Sequence, residues 1–314
     1  MVGIMSSSLK GYEGRSAVQT MDAALAAGLD GVLFGNVLEL SPDLDALALK
    51  AVATEAKVRN IRVGAGLGSF NPSKPVRNKA LAGLGGGDIV QGLARTIDAV
   101  AALGTDTLFF VIGTIEDRED PQLPWPSQLA RVADALGALR PRLRDNGLRL
   151  LLKTHEELTT FEAARLIEAV GSDVMGISHD PVNLVCRIED PVAATNRVAP
   201  YVQQVHLDDA TITFDGDRMR RYLAPMGSGD IDWPAILQRI GDVPVWLEFH
   251  RGQFAMPVFD EAWLAAQPDL TLNEYRAIIG PAVARLARHE TPADQADPFG
   301  RLPAALDWLA RRRP

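Results

Sequence analysis

The segment LRLLLKTHEELTTFEAARLIEAVGSDVMGISHDPVN, residues 148–183, carries the reading of the fold. It opens on an apolar run from Leu148 to Thr154, continues into a helix expected over 159–170, and returns to a second apolar run from Val174 to Asp180. Strands covered on both faces read as continuous apolar runs, and two of them joined by a helix form a parallel crossover.

Outward from this unit the pattern repeats along the chain. Further strands are expected at 2–7, 31–35, 61–67, 107–113, 202–208 and 243–250, and further helices at 16–27, 42–59, 88–103, 127–144, 191–198, 234–240 and 272–288. Two long loops interrupt the pattern, SFNPSKPVRNKALAGLGGG (69–87) and TIEDREDPQLPWP (114–126). The Gly and Pro content of the first argues against regular structure, and both read as walls over a site, together with Phe70, Trp125 and the 251–258 segment. Eight strand–helix pairs predict an α/β protein, a parallel eight-stranded (β/α)8 TIM barrel over residues 1–288. A C-terminal extension, 289–314, carries a short amphipathic helix near 302–311. No GxGxxG opens the first helix, which disfavours a dinucleotide fold.

Composition narrows the function. With 32 Lys+Arg against 40 Asp+Glu the net charge is −8, and the chain lacks the basic stripe that nucleic-acid binding needs. Its one cysteine, Cys186, excludes an internal disulfide and a thiolate metal cage, so any metal falls to His, Asp and Glu. There is no run of about 18 apolar residues and no signal-like start, so the expectation is a cytoplasmic enzyme without membrane partners.

In a barrel of this kind chemistry sits at the carboxyl ends of the strands. Four of the five histidines lie in the segments LLLKTHEE, GISHDPVN, QQVHLDD and VWLEFHRGQ, at the ends of the last four strands. Strand alternation puts Lys153 on a face with His155 and Leu151, Asp180 with Ser178, His206 with Asp208, and Glu248 with His250. Glu156 follows the end of strand five, where the chain is free to turn inward. A convergent set of Glu156, Asp180, His206 and Glu248 suits one divalent ion, Mn²⁺ first, with Mg²⁺, Fe²⁺, Co²⁺ or Zn²⁺ as alternatives. Asn183, Asp208, His250 and Arg251 are the expected substrate-binding residues. Competing readings are a turn cap for Asp180, a core role for His206, and an ion pair with Arg251 or Arg62 for Glu248. His179 and His289 read as structural or surface, Glu157 as a solvated helix-entry residue, and Arg62, Arg77, Arg118 and Arg251 as surface ion-pair partners.

HDPVN, VHLDD, GSGDIDWPAIL, AALAAGLDGVLF and the Glu of WLEFH together resemble the sugar isomerase/epimerase superfamily of xylose-isomerase-like barrels over about residues 1 to 288. That family usually binds one divalent metal through a Glu, an Asp, a His and a Glu on strands five to eight. The resemblance therefore gives Asp180, His206 and Glu248 metal-ligand roles. Strand five departs from the pattern, because Lys153-Thr154-His155 stands where many members read Glu-Asn-His. Two resolutions are open: Glu156 supplies the fourth ligand, or the metal is lost and Lys153 pairs with Glu248 or Asp180. KTHEE and LEFHRGQFAMP are also similar to the α subunits of C-glycoside deglycosidases, barrels that work with a small β-rich subunit and cleave the C–C bond of 3-keto C-glycosides.

The resemblance implies metal-assisted proton removal next to a carbonyl. His155 is the expected base, with Lys153 tuning it or acting as acid–base itself. The expected function is a lyase acting on the C-glycosidic bond of 3-keto C-glycosides. The alternatives are a sugar isomerase/epimerase and a metal-free binding or scaffold subunit that serves a partner subunit or a homo-oligomer.

Overall fold

Eight short parallel strands close on one another in the computed structural model, which describes residues 1–252, 254–288, 290 and 297–312. In chain order the strands are β1 Val2–Met5, β2 Gly31–Phe34, β3 Arg62–Ser69, β4 Thr107–Val111, β5 Arg149–Lys153, β6 Met175–His179, β7 Val202–Leu207, β8 Asp209–Asp215, β9 Arg218–Ala224, β10 Val245–Leu247 and β11 Phe254–Met256. The barrel runs β1-β10-β7-β6-β5-β4-β3-β2, and β11-β9-β8 form a separate three-stranded sheet. The α/β barrel expected from the repeating strand–helix pattern is therefore the observed fold. Among the described residues no helix is long and apolar enough to cross a membrane.

Two cores hold it together. Leucine- and valine-rich outer faces of the strands pack under the helices, while Met5, Leu33, Phe109, Leu151 and Trp246 form a smaller buried cluster of their own. Trp246 takes so much of that space that a Cβ on Gly3 would lie 2.3 Å from its ring and one on Gly31 2.9 Å. These two positions must be glycine for the indole to fit.

Several elements differ from the sequence-based expectation. The 69–87 stretch holds a helix, Lys79–Leu84, because Asn78 Oδ1 accepts from Leu81 N at 3.1 Å and so starts a turn that the following glycines end. Helix Trp125–Asp145 begins inside the expected loop, with Pro126 in its first turn. The eighth barrel strand, expected over 243–250, is paired only over Val245–Leu247, so Glu248 and His250 stand just beyond it. An antiparallel hairpin, β8–β9, fills part of what read as a loop before strand eight, turning at Gly216 with φ 63°. Asp209 fastens the GSGD loop to it by accepting from Gly227 N at 2.8 Å and Gly229 N at 3.0 Å. Burial raises its carboxyl to about 7 despite those amides. The helix Leu302–Ala310 follows the expectation, whereas His289 and residues 291–296 and 313–314 of the extension lie outside the described residues.

Candidate active site

The last residue of β5 sets the site. Lys153 alternates with Leu151, so its side chain shares the face of the inner cluster, and its Nζ lies 2.7 Å from Glu248 Oε1 and 3.0 Å from Asp180 Oδ2. Asp180, just past β6, is held by its backbone: its N donates to Thr154 Oγ1 at 2.6 Å. Its Oδ2 also accepts from Asn183 Nδ2 at 2.9 Å and faces His250 Nε2 at 2.8 Å. Asp208 completes the ring, with its Oδ2 3.0 Å from His250 Nδ1.

His206, fully buried on β7, is oriented from behind. Trp246 Nε1 donates to Gln204 Oε1 at 2.9 Å, Gln204 Nε2 donates to Ser178 Oγ at 2.8 Å, and Ser178 Oγ lies 2.5 Å from His206 Nε2. The other ring nitrogen, Nδ1, is turned to Glu248 Oε2 at 2.5 Å, outside hydrogen-bond alignment.

Opposite charges govern protonation here. Burial works against the charged form of Lys153, yet Glu248 and Asp180 outweigh it and hold the ammonium charged. Burial likewise opposes the carboxylates, but His250 and Lys153 keep Asp180 ionised, and Lys153 above all keeps Glu248 ionised. His250 rises to about 9 because Asp180 and Asp208 overcome its burial. His206 moves the other way, since burial dominates and favours the neutral ring.

A second cluster stands beside the first. His155 Nε2 lies 2.7 Å from Glu156 Oε2, and its Nδ1 contacts Glu157 Oε2. Burial would lower the imidazole, but the two carboxylates raise it to about 10. Glu156 is kept in its charged form by His155 against its own burial.

The expected site residues thus divide. Asp180, Glu248 and His250 present ligand atoms within 4.8 Å of one another, whereas Glu156 belongs to a separate group with His155 and Glu157. Glu156 is therefore not brought to the Asp180–Glu248 pair; the sequence runs Lys-Thr-His-Glu, and Lys153, the residue that ends the strand, takes the inward place. Glu248 pairs with Lys153, not with Arg251 or Arg62. Arg251 is exposed and stacks 5.4 Å from the Phe299 ring. Arg77 pairs with Asp117, and Arg118 with Glu162. Glu157, expected in solvent, is fully buried on His155. Phe70 is core, edge-on to Phe110 at 6.4 Å, and not a wall. His179 has the structural role expected, bonded to Thr195 Oγ1 at 2.9 Å and lowered to about 4 by burial.

Two arginines escaped the sequence reading. Arg301, from the C-terminal extension, donates to both oxygens of Asp208 at 3.0 and 2.9 Å and to the His250 carbonyl. Arg221, on β9, donates to Asn183 Oδ1 at 2.8 Å. Nothing near either residue in sequence marks it, because each reaches the site across a long chain separation.

The donor atoms bear on a divalent ion. Asp180 Oδ1 is buried without a hydrogen-bond partner, and Glu248 Oε2 and His206 Nδ1 face only each other, while both carboxylates use their other oxygen on Lys153. Asp180 Oδ1, Glu248 Oε2 and the neutral imidazole of His206 are donors of the types a divalent ion takes, and Lys153 stands where the fourth ligand, a third carboxylate, was expected.

Comparison with known proteins places this geometry. Residues 21–262 match the xylose isomerase-like TIM barrel family. An uncharacterized protein of Escherichia coli (strain K12), YihM, is 26% identical over 112 residues, 36% of this chain and 34% of the relative, so the match spans about a third of that relative's length. Among solved structures, a D-allulose 3-epimerase from Methylomonas sp. superposes with a TM-score of 0.62 at 15% identity, covering 99% of this chain and 97% of that one. The IolI protein with a bound zinc atom superposes with a TM-score of 0.59 at 14% identity, covering 93% and 99%. At such identities the likeness concerns the fold.

Proposed function

Because the chain belongs to the xylose isomerase-like TIM barrel family, we propose that it is an enzyme that moves a proton next to the carbonyl of a sugar or keto-sugar. The observation that carries this reading is the buried Lys153 ammonium between Asp180 and Glu248. Two of its three N–H groups face those carboxylates, which leaves one for a substrate oxygen. An enediolate forming at that oxygen meets a fixed positive charge away from bulk water, where such a charge stabilises most.

His155 enters protonated, so it acts as the acid, and the base is the Glu156 carboxylate beside it. Glu156 takes the proton from the carbon next to the carbonyl. The C–H electron pair becomes the C=C bond, and the carbonyl pair moves onto the oxygen that faces Lys153. Returning the proton to the other carbon, while the proton of the neighbouring hydroxyl passes to the former carbonyl oxygen, gives an isomer; returning it to the opposite face of the same carbon gives an epimer. Asn183 and His250 orient Asp180, and Asp208 orients His250. A divalent ion held by Asp180, His206 and Glu248, for which we propose Mn²⁺, would polarise the same substrate oxygen as a Lewis acid. Zinc in the similarly folded IolI supports an ion in a barrel of this type.

The test is solvent deuterium exchange followed by proton NMR, using D-fructose, D-psicose and a 3-keto-glucoside, with and without Mn²⁺. Deuterium entering the carbon beside the carbonyl, and failing to enter with Lys153→Met, is expected. No exchange on any of them under either condition rejects the reading.

A second reading, the C–C lyase acting on 3-keto C-glycosides with a small β-rich partner subunit, is favoured by a cavity of about 820 Å³ with room for an aglycone, whose lining residue Phe254 lies 4.7 Å from the Arg221 guanidinium that holds Asn183. There the enediolate would expel the aglycone carbon, which takes its proton from His155. Release of free aglycone from a 3-keto C-glycoside separates it from isomerisation.

A further inference from the structure

We propose that the 820 Å³ cavity beside the barrel mouth binds an anionic group on an aromatic part of the substrate, with Arg187 as the residue that recognises the charge. This rests on the sugar-enzyme reading only for the link to turnover; the binding itself does not. The cavity, open to solvent on one side, is lined by the 115–126 segment, the residues after β6, β11 and the 260–268 segment. Its walls connect to the site: Phe254 lies 4.7 Å from the Arg221 guanidinium, which holds Asn183 and through it Asp180. On the other side Arg118 donates to the Glu157 carbonyl at 2.8 Å.

Arg187 is 3% exposed, yet among the described residues it has no ion pair. Its Nε donates to the Cys186 carbonyl at 3.0 Å and its guanidinium sits 5.5 Å from the Trp263 ring, which leaves the terminal nitrogens without an ion-pair partner, Glu119 and Glu162 acting on it only at longer range. Burial, with Arg118 as a neighbouring cation, lowers its pKa. A guanidinium so placed is costly unless a ligand brings the negative charge. The carboxylates on the walls are engaged or outside: Glu162 pairs with Arg118, Asp120 with Lys74, and Glu119 and Asp260 are exposed.

A second observation points the same way. The Trp125 indole N–H and Gln267 Oε1 also line this cavity, and both are buried without a hydrogen-bond partner. A cation that merely packed on Trp263 would not explain an indole N–H left unsatisfied. The two donors, Arg187 and the Trp125 N–H, among aromatic and apolar walls suit a carboxylate on a ring, while Gln267 Oε1 is left to accept from a hydroxyl of the same ligand. The chain also holds buried, β-branched Ile188 at φ 59°, next to Arg187, in a region such residues avoid.

Calorimetric titration of the intact protein with 1-naphthoate and with neutral 1-naphthamide tests the proposal. The expected result is naphthoate binding tighter by about tenfold, a preference that Arg187→Met removes while naphthamide binding persists. Equal affinities, no binding of either probe, or a preference that survives Arg187→Met overturns it. Should Arg187→Met fail to fold, Trp125→Phe deletes only the second donor and is expected to cut the preference about threefold; an unchanged preference there is equally fatal. Deuterium exchange on a plain ketose, unaffected by Arg187→Met, keeps the two readings apart. Loss of that exchange in the wild type with naphthoate binding intact would sink the enzyme reading alone.

Discussion

The two rims of the barrel are built from the same residue types and do opposite things with them. At the carboxyl rim Asp180 and Lys153 are buried, and Asp180 shares its Oδ2 among Lys153, Asn183 and His250. At the amino rim Asp173, just before β6, bonds Arg140 Nη2 at 2.6 Å and also pairs with Arg144, all three exposed enough for water to screen them. A buried charge that loses its partner is stranded, while an exposed one is resolvated. Depth, not residue identity, separates a buried charge cluster from a solvated one.

The sharpest attack on this contrast is Lys153→Met. It leaves His250 as the one remaining cation between Asp180 and Glu248, and we expect about 3–5 kcal/mol lost in denaturant unfolding together with the deuterium exchange. A stability change under about 1 kcal/mol would show that water reaches the site and that the rims do not differ. Next comes His155→Ala, expected to lower the exchange rate by about 10²–10⁴-fold with the fold intact by circular dichroism. Unchanged turnover removes His155 as the acid.

Divalent ions come third. Mn²⁺ at about 100 times its dissociation constant should stabilise the wild type by about 2–3 kcal/mol, seen as a rise in melting temperature that Asp180→Asn abolishes. A wild type that does not respond leaves Lys153, and no metal ion, as the cation between Asp180 and Glu248. Lys153→Glu, which restores the fourth ligand as a third carboxylate, should tighten Mn²⁺ binding in calorimetry.

The smallest effect belongs to the amino rim. Arg140 and Arg144 pull Asp173 down to about 2. Its folded pKa lies below the unfolded value, so its contribution is present above about pH 4 and vanishes as pH falls through about 2. Asp173→Asn should therefore shift the melting temperature by no more than about 1–2 °C at neutral pH, and the difference should disappear at pH 2. A larger shift would mean the exposed pair behaves like the buried one.

Much of this was legible along the chain. Apolar runs such as Leu148–Thr154 announce strands covered on both sides, and their ends placed Lys153, Asp180, His206 and Glu248 at one rim by period alone. The β8–β9 hairpin was harder, since TITFDGDRMRRYLA alternates without an apolar majority and lies between strand seven and a helix. Glu156 was assigned inward because a strand end is free to turn; His155 holds it instead. Arg301 and Arg221 left no local trace.

The sequence by itself determined the barrel, because strand and helix periods are local properties of the chain, and it determined which rim carries the acids and histidines. Only the tertiary structure decided that Lys153 lies between Asp180 and Glu248, that Glu156 stays with His155, and that Arg187 faces a cavity without a counter-ion. Pairing among charges depends on distance and burial, and both are set by segments far apart in sequence; the Lys153–Glu248 contact spans 95 residues and the Arg301–Asp208 contact 93.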